Sequence, residues 1–145
     1  MPELSDRPVV LCRKVSFSSG HRYFNPQWSE AQNRQIYGSQ YSQHGHGHNF
    51  VLEAYLEGEI DPETGMVINL KDVDALLREV VEPMDHRFLN RDVPFFKSHV
   101  PTTENIARYC FEQLQQSLAQ RPARLVKVRL REGENLWVDY GSALE

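Results

Sequence analysis

Apolar and polar positions change period several times along the chain, and each change marks an element. Residues 9–17, VVLCRKVSF, are β-branched and partly alternating, which predicts a strand. The pattern lapses over 18–45, where Gly20, Pro26, Gly38, Gly45 and many amides replace aliphatic residues. A stretch that long without periodicity is usually functional or disordered, and only AQNR (31–34) suggests a short helical turn. Alternation returns in HNFVLEAYLEGEI (48–60), read as a strand, with DPETG (61–65) as a turn and MVINL (66–70) as the hairpin partner.

The period then becomes helical. Val73, Leu76, Leu77, Val80, Val81 and Met84 fall on one stripe, and Pro83 suits a helix that is ending. A second helix opens at Pro101-Thr102-Thr103 and carries Ile106, Cys110, Leu114 and Leu118 on one side. RLVKVRLRE (124–132) and NLWVDYG (135–141), joined through Gly133–Asn135, read as a second hairpin. Local strand pairing with grouped helices predicts an α+β layer: an antiparallel sheet with helices on one face. So small a sheet leaves open edges, which oligomerisation would cover.

With 145 residues and 40% hydrophobic positions, one domain spanning 1–145 with one core is expected. Net charge is −4 and no long Lys/Arg run occurs, which argues against nucleic acid as a partner. The four basic residues of 124–132 alternate with apolar ones, as on a solvated strand face. No apolar run is long enough to cross a bilayer, and MPELSDRPVV lacks a signal-peptide core, so a cytoplasmic protein without membrane contact is expected. Cys12 and Cys110 lie in apolar segments without metal-type spacing and read as inert core thiols.

The chemistry gathers in YSQHGHGHNF (41–50), with histidines at 44, 46 and 48. On an extended strand all three project to one face. Positions two apart are separated by about 7 Å and zinc–imidazole bonds are near 2 Å, so neighbours in this series can converge on one ion. His44 and His48, about 13 Å apart if extended, share it only if the chain bends. A third ligand should come from elsewhere: His21, at the end of the first strand, or His86, with His99 the last choice. Imidazole ligation without cysteine suits zinc or a similar divalent ion, and three ligands leave an open, catalytic position. The bland alternative is a polar surface strand with Gly45 and Gly47 marking a turn.

SFSSGHR (16–22), GHGHNF (45–50), GEIDPETGMVINLKDV (58–73), MDHRFLN (84–90), TTEN (102–105) and REGEN (131–135) together resemble the 6-pyruvoyltetrahydropterin synthase family, in order and in spacing. The likeness spans nearly the whole chain. The related 6-carboxytetrahydropterin synthase of the queuosine pathway shares most of these motifs, but segment 22–45 looks more like the pyruvoyl type. The resemblance implies a tunnelling fold (T-fold): an antiparallel four-stranded sheet with two helices on one face, whose strands close a barrel on trimerisation, two trimers making a homohexamer. It implies Zn2+ held by His21, His46 and His48, leaving His44 as an extra. It implies 7,8-dihydroneopterin triphosphate bound between subunits, with Glu132 anchoring the pterin ring and Thr103 and Glu104 near the pocket. Asp85 and His86 match the family's Asp-His pair, in which the carboxylate orients the imidazole for proton relay. The implied activity is a lyase of tetrahydrobiopterin biosynthesis that expels triphosphate and rearranges the side chain to 6-pyruvoyltetrahydropterin.

One piece departs from the family. Its relay includes a cysteine six or four residues ahead of the first paired histidine, and here Gln40 and Ser42 hold those positions. Glutamine cannot ionise and serine needs a separate base, so the thiol's proton step is unsupported. Three outcomes follow: His86 works alone at reduced rate; Tyr41, Ser42, His44 or Glu30 moves in; or the reaction differs, as in side-chain cleavage or a pterin-binding homologue with reduced turnover.

Overall fold

The structure, a computed structural model, describes residues 7–142; most of the N-terminal stretch read above for a leader lies outside them. Strand β1 (Val9–His21) and strand β2 (His46–Gly58) form an antiparallel ladder from Val9 opposite Gly58 to His21 opposite His46. β1 thus continues four residues beyond the aliphatic run, because Ser18–His21 still find partners in β2. Between the strands lie helix α1 (Glu30–Tyr37) and a 3₁₀ turn at Gly38–Tyr41. The segment expected to be irregular is therefore ordered, and Asn33 shows why. Fully buried, it accepts from the Asn25 N–H at 2.7 Å and donates to the Asn25 and Ser29 carbonyls, both at 3.0 Å.

Helix α2 (Leu70–Val81) starts at Asn69, whose side chain accepts from the Lys71 N–H. Its stripe Val73, Leu76, Leu77, Val80 and Val81 is buried, as is Met84 beyond its end. Short elements follow: β3 (Arg87–Phe88), α3 (Leu89–Asp92) and α4 (Phe95–Ser98). Helix α5 (Thr103–Ser117) is capped by Thr102, whose hydroxyl accepts from the Asn105 N–H at 3.1 Å. β4 (Arg124–Arg131) and β5 (Trp137–Gly141) complete the chain as an antiparallel pair.

Among the described residues the sheet has five strands in the order β3-β1-β2-β4-β5, and it is open. The four long strands run antiparallel as expected; β3 is an addition, two residues paired parallel to β1. MVINL is not a strand. β2 is already paired with β1 on one side and β4 on the other, so no edge is free for it. Instead Val67 and Ile68 enter the core from a bend. α2 and α5 pack against each other, on β1 and on β4 and β5 respectively. Phe17, Phe50, Leu52, Leu56, Val128 and Leu130 face them from the sheet, and no helix of the described residues is long and apolar enough to cross a membrane.

Candidate metal centre

The site stands where the alternation that builds the core runs out of apolar residues. On β1 the core face reads Phe17, Ser19, His21, and on β2 it reads Phe50, His48, His46 towards the same end. Directly opposed residues share a face, so His21 meets His46 across the ladder and His48 lies two residues inward. Ring centroids are 4.7 Å apart for His21–His46, 5.3 Å for His21–His48 and 5.1 Å for His46–His48. Phe50, packed edge-on at 5.7 Å from both His21 and His48, forms the floor.

Glu132 follows the last paired residues of β4 on the same face as Leu130 and is 8% exposed. Its Oε1 lies 2.5 Å from His48 Nε2 and 3.6 Å from His21 Nε2. One donor atom from each of His21, His46, His48 and Glu132 lies within 4.8 Å of the others. The Nε2 atoms of all three histidines are buried and make no hydrogen bond, His48 Nε2 included, whose 2.5 Å approach to Glu132 Oε1 lacks hydrogen-bond alignment. Orphaned buried nitrogens are costly unless something else satisfies them, and three on one point are what a divalent ion requires.

The surroundings prepare those nitrogens. His21 Nδ1 donates to the Pro101 carbonyl at 2.7 Å, which leaves Nε2 as the free-base atom. Burial, reinforced by His46 and His48, pushes the His21 imidazole below its ordinary range; burial and then His48 do the same to His46. Both are neutral near pH 7, as ligation needs. Glu132 is oriented by Thr103, whose buried hydroxyl donates to Oε2 at 2.7 Å. Glu104 stands exposed in the first turn of α5.

The other residues singled out in the sequence are dispersed. His44 is not on the strand: it sits exposed in a turn, and Gly45 at φ +82° turns the chain off the line of β2. The three-histidine face is therefore a two-histidine face completed by His21. His99 stacks on Phe95 at 4.1 Å, away from the group. Asp85 and His86 attach to the opposite edge of β1: Asp85 accepts from the Ser18 N–H at 2.9 Å, and the His86 N–H donates to the Ser18 carbonyl at 2.6 Å. The Ser18 N–H and then His86 hold the Asp85 carboxyl below its usual range. His86 Nδ1 is 3.0 Å from Asp85 Oδ1, and its ring is largely exposed. An open depression of about 500 Å³ beside His86 is bordered by Ser18, Gly20, Gly47, His48 and Asn49, and His48 is the member of the histidine group that reaches it.

No thiol enters the site. Cys12, expected in the core, is instead exposed beside Glu53, because it falls on the solvent-facing side of β1; Cys110 is wholly buried, with its thiol pushed up to about 12. Gln40 is exposed, and Ser42 follows at φ 38°. Tyr41 donates to Glu30, which Arg34 also holds at 2.8 Å, so both are committed to the 22–45 segment. Glu132 as a member of the histidine group, and Pro101 as the partner of His21, carried no local sequence signal; both depend on which elements pack together.

The chain can be set beside known proteins on this basis. The family described as 6-pyruvoyl tetrahydropterin synthase matches residues 10–143. The 6-pyruvoyl tetrahydrobiopterin synthase of Homo sapiens is 40% identical over 131 residues, 90% of this chain and 89% of that protein. Its counterpart in Poecilia reticulata is 38% identical over 138 residues, 94% of this chain and 92% of that protein. The solved Caenorhabditis elegans 6-pyruvoyl tetrahydropterin synthase superposes with a TM-score of 0.89 at 37% identity, covering 97% of this chain and all of that one (100%). A match over nearly the full length, on a fold that brings His21, His46 and His48 to one point, places the chain in the 6-pyruvoyl tetrahydropterin synthase family.

Proposed function

We propose that the protein is a zinc-dependent lyase that converts 7,8-dihydroneopterin triphosphate to 6-pyruvoyltetrahydropterin with release of triphosphate. The observation that carries this is the convergence of three unpartnered Nε2 atoms beside a buried carboxylate in a chain of this family. His21, His46 and His48 would hold the ion, which supplies Lewis-acid polarisation of the substrate's side-chain hydroxyls. Glu132 accepts hydrogen bonds from the amino-pyrimidine edge and so fixes the ring relative to the histidines. Thr103 keeps that carboxylate turned to the site, and Glu104 lies at its margin. His86, exposed and oriented by Asp85, moves protons on the side chain from a position open to a neighbouring protomer. A homohexamer is the assembly this reading requires, because the edges β3 and β5 are open and the substrate sits between subunits.

The missing thiol favours a second reading, in which zinc and pterin bind but the synthase step is slow or replaced by side-chain cleavage of the 6-carboxytetrahydropterin synthase kind. One experiment separates them. Purified protein of measured zinc content receives 7,8-dihydroneopterin triphosphate, with and without a chelator, and 6-pyruvoyl product, triphosphate and acetaldehyde are followed. Chelator-sensitive formation of the pyruvoyl product supports the first reading, and acetaldehyde supports cleavage. Slow turnover that rises in Gln40→Cys or Ser42→Cys locates the deficit at the vacant thiol position. Failure to bind zinc or any pterin would remove both readings.

A further inference from the structure

Glu132 opens an exposed tip, Gly133–Leu136, closed at its base by the Glu132 N–H donating to the Leu136 carbonyl at 3.0 Å. Arg131, one residue back, projects to the face of the sheet away from the histidines. There its Nε donates to Glu53 Oε2 on β2 at 2.5 Å, and its guanidinium lies over the Trp137 ring of β5, 4.9 Å from the centroid. Tyr55 and Cys12 donate to the other Glu53 oxygen at 3.4 and 3.8 Å, so Oε2 is left to Arg131. We propose that Glu53 and Arg131 are positioning residues for pterin binding: their ion pair fixes the end of β4 between β2 and β5, and so sets where the Glu132 carboxylate stands. This rests on the reading above, in which Glu132 anchors the ring.

Burial and placement argue for it. Glu53 is only 3% exposed, although it stands on the face opposite the helices. Stability alone does not account for a buried carboxylate there, since apolar residues of similar size serve as well or better. What the pair supplies is a fixed distance between β2, which carries His46 and His48, and the residue that precedes Glu132. Thr103 grips the carboxylate itself from α5, but a side chain held at its tip still swings with its backbone, and binding groups need support at both ends. Arg129 gives a comparison within the same strand. It pairs with Asp139 at 2.6 Å on the same face, one strand repeat further from Glu132.

The test titrates unsubstituted pterin by fluorescence into the full-length, zinc-loaded protein, with zinc content and Tm recorded for each variant. Arg131→Ala and Glu53→Ala should weaken pterin binding about tenfold, short of the roughly hundredfold that a misplacement of about 1 Å can cost, with zinc content unchanged. Each of these strands a charge and risks misfolding. Arg131→Met/Glu53→Leu removes both charges, and it should fold and show the same weakening. Glu53→Gln, which keeps an acceptor for Arg131, should recover most of the affinity, and Arg129→Ala should bind as the wild type does whatever its Tm. A double variant within about twofold of wild type, the range of independent sites, would overturn the proposal. So would an equal weakening in Arg129→Ala, or a Glu53→Gln no better than Glu53→Ala. Pterin binding that survives Glu132→Ala, or that is absent from the wild type, instead brings down the reading of Glu132 and this inference with it.

Discussion

Gly45→Ala should loosen the entrance to the metal group without touching a ligand. Gly45 has φ +82°, where an L side chain costs roughly 1–2 kcal/mol. A Cβ there would stand 2.6 Å from Phe88 Cε2 and 3.4 Å from the His21 carbonyl. The first contact is a clash, but Phe88 is partly exposed and its ring can shift, so the steric part belongs near the low end of the ~1–3 kcal/mol range for overpacking. Together these give about 2–4 kcal/mol, or a fall in Tm of roughly 6–12 °C for a domain of this size. Thermal unfolding by circular dichroism at matched protein concentration measures it. Gly45→Ala/Phe88→Ala should recover the steric part while retaining the backbone cost. A Tm within one degree of wild type, or complete recovery in the double variant, would refute the backbone argument.

The remaining expectations concern ligation, core and charge. His46→Ala should lose most bound metal by elemental analysis while His44→Ala keeps it, because His44 is exposed in a turn off the strand; equal losses would contradict that placement. Phe50→Ala, at a position with no exposure and stacked on Phe17 at 5.2 Å, should cost about 3–5 kcal/mol in denaturant unfolding. Arg129 and Lys127 hold the Asp139 carboxyl down to about 2, below its unfolded value of about 3.9. A depressed carboxylate contributes above the unfolded value and loses that contribution as pH falls through the folded one. Asp139 is 38% exposed, so the contribution after solvent screening is about 1 kcal/mol. Asp139→Asn should therefore be less stable by that amount at pH 7, with the gap closing between pH 4 and pH 2; a gap constant down to pH 2 would count against the ion pair.

What was legible in the sequence depended on period. The helical stripe from Val73 to Met84 is buried as read, since a 3.6-residue repeat admits one face. His46 and His48 share a face because a strand admits only two, and His21 joins them because residues ending two paired strands are opposed. MVINL misled because Val, Ile and Leu report burial and not partner; the edge it needed was occupied. His44 misled because the alternation was carried two residues beyond the start of β2, across Gly45. Asn33 and Glu132 were illegible as structural hubs, since nothing local tells a buried amide or carboxylate from a solvated one. Their roles arise from Asn25, Ser29, Thr103 and the histidines, which only the folded chain brings near.

The ladder of β1 and β2 ends at the rung His21–His46, and residues 22–45 leave from one side of that rung and return to the other. Shutting a loop of that length costs about 3 kcal/mol of chain entropy, and terminal rungs are the first to fray. Whatever pins the His21 and His46 rings together therefore also fastens the neck of this excursion, with Trp28, Tyr37 and Tyr41 strung along it. Loading the centre and tightening the wall around it become a single event, and slowed amide exchange at Gly20 and Gly47 would be its earliest sign.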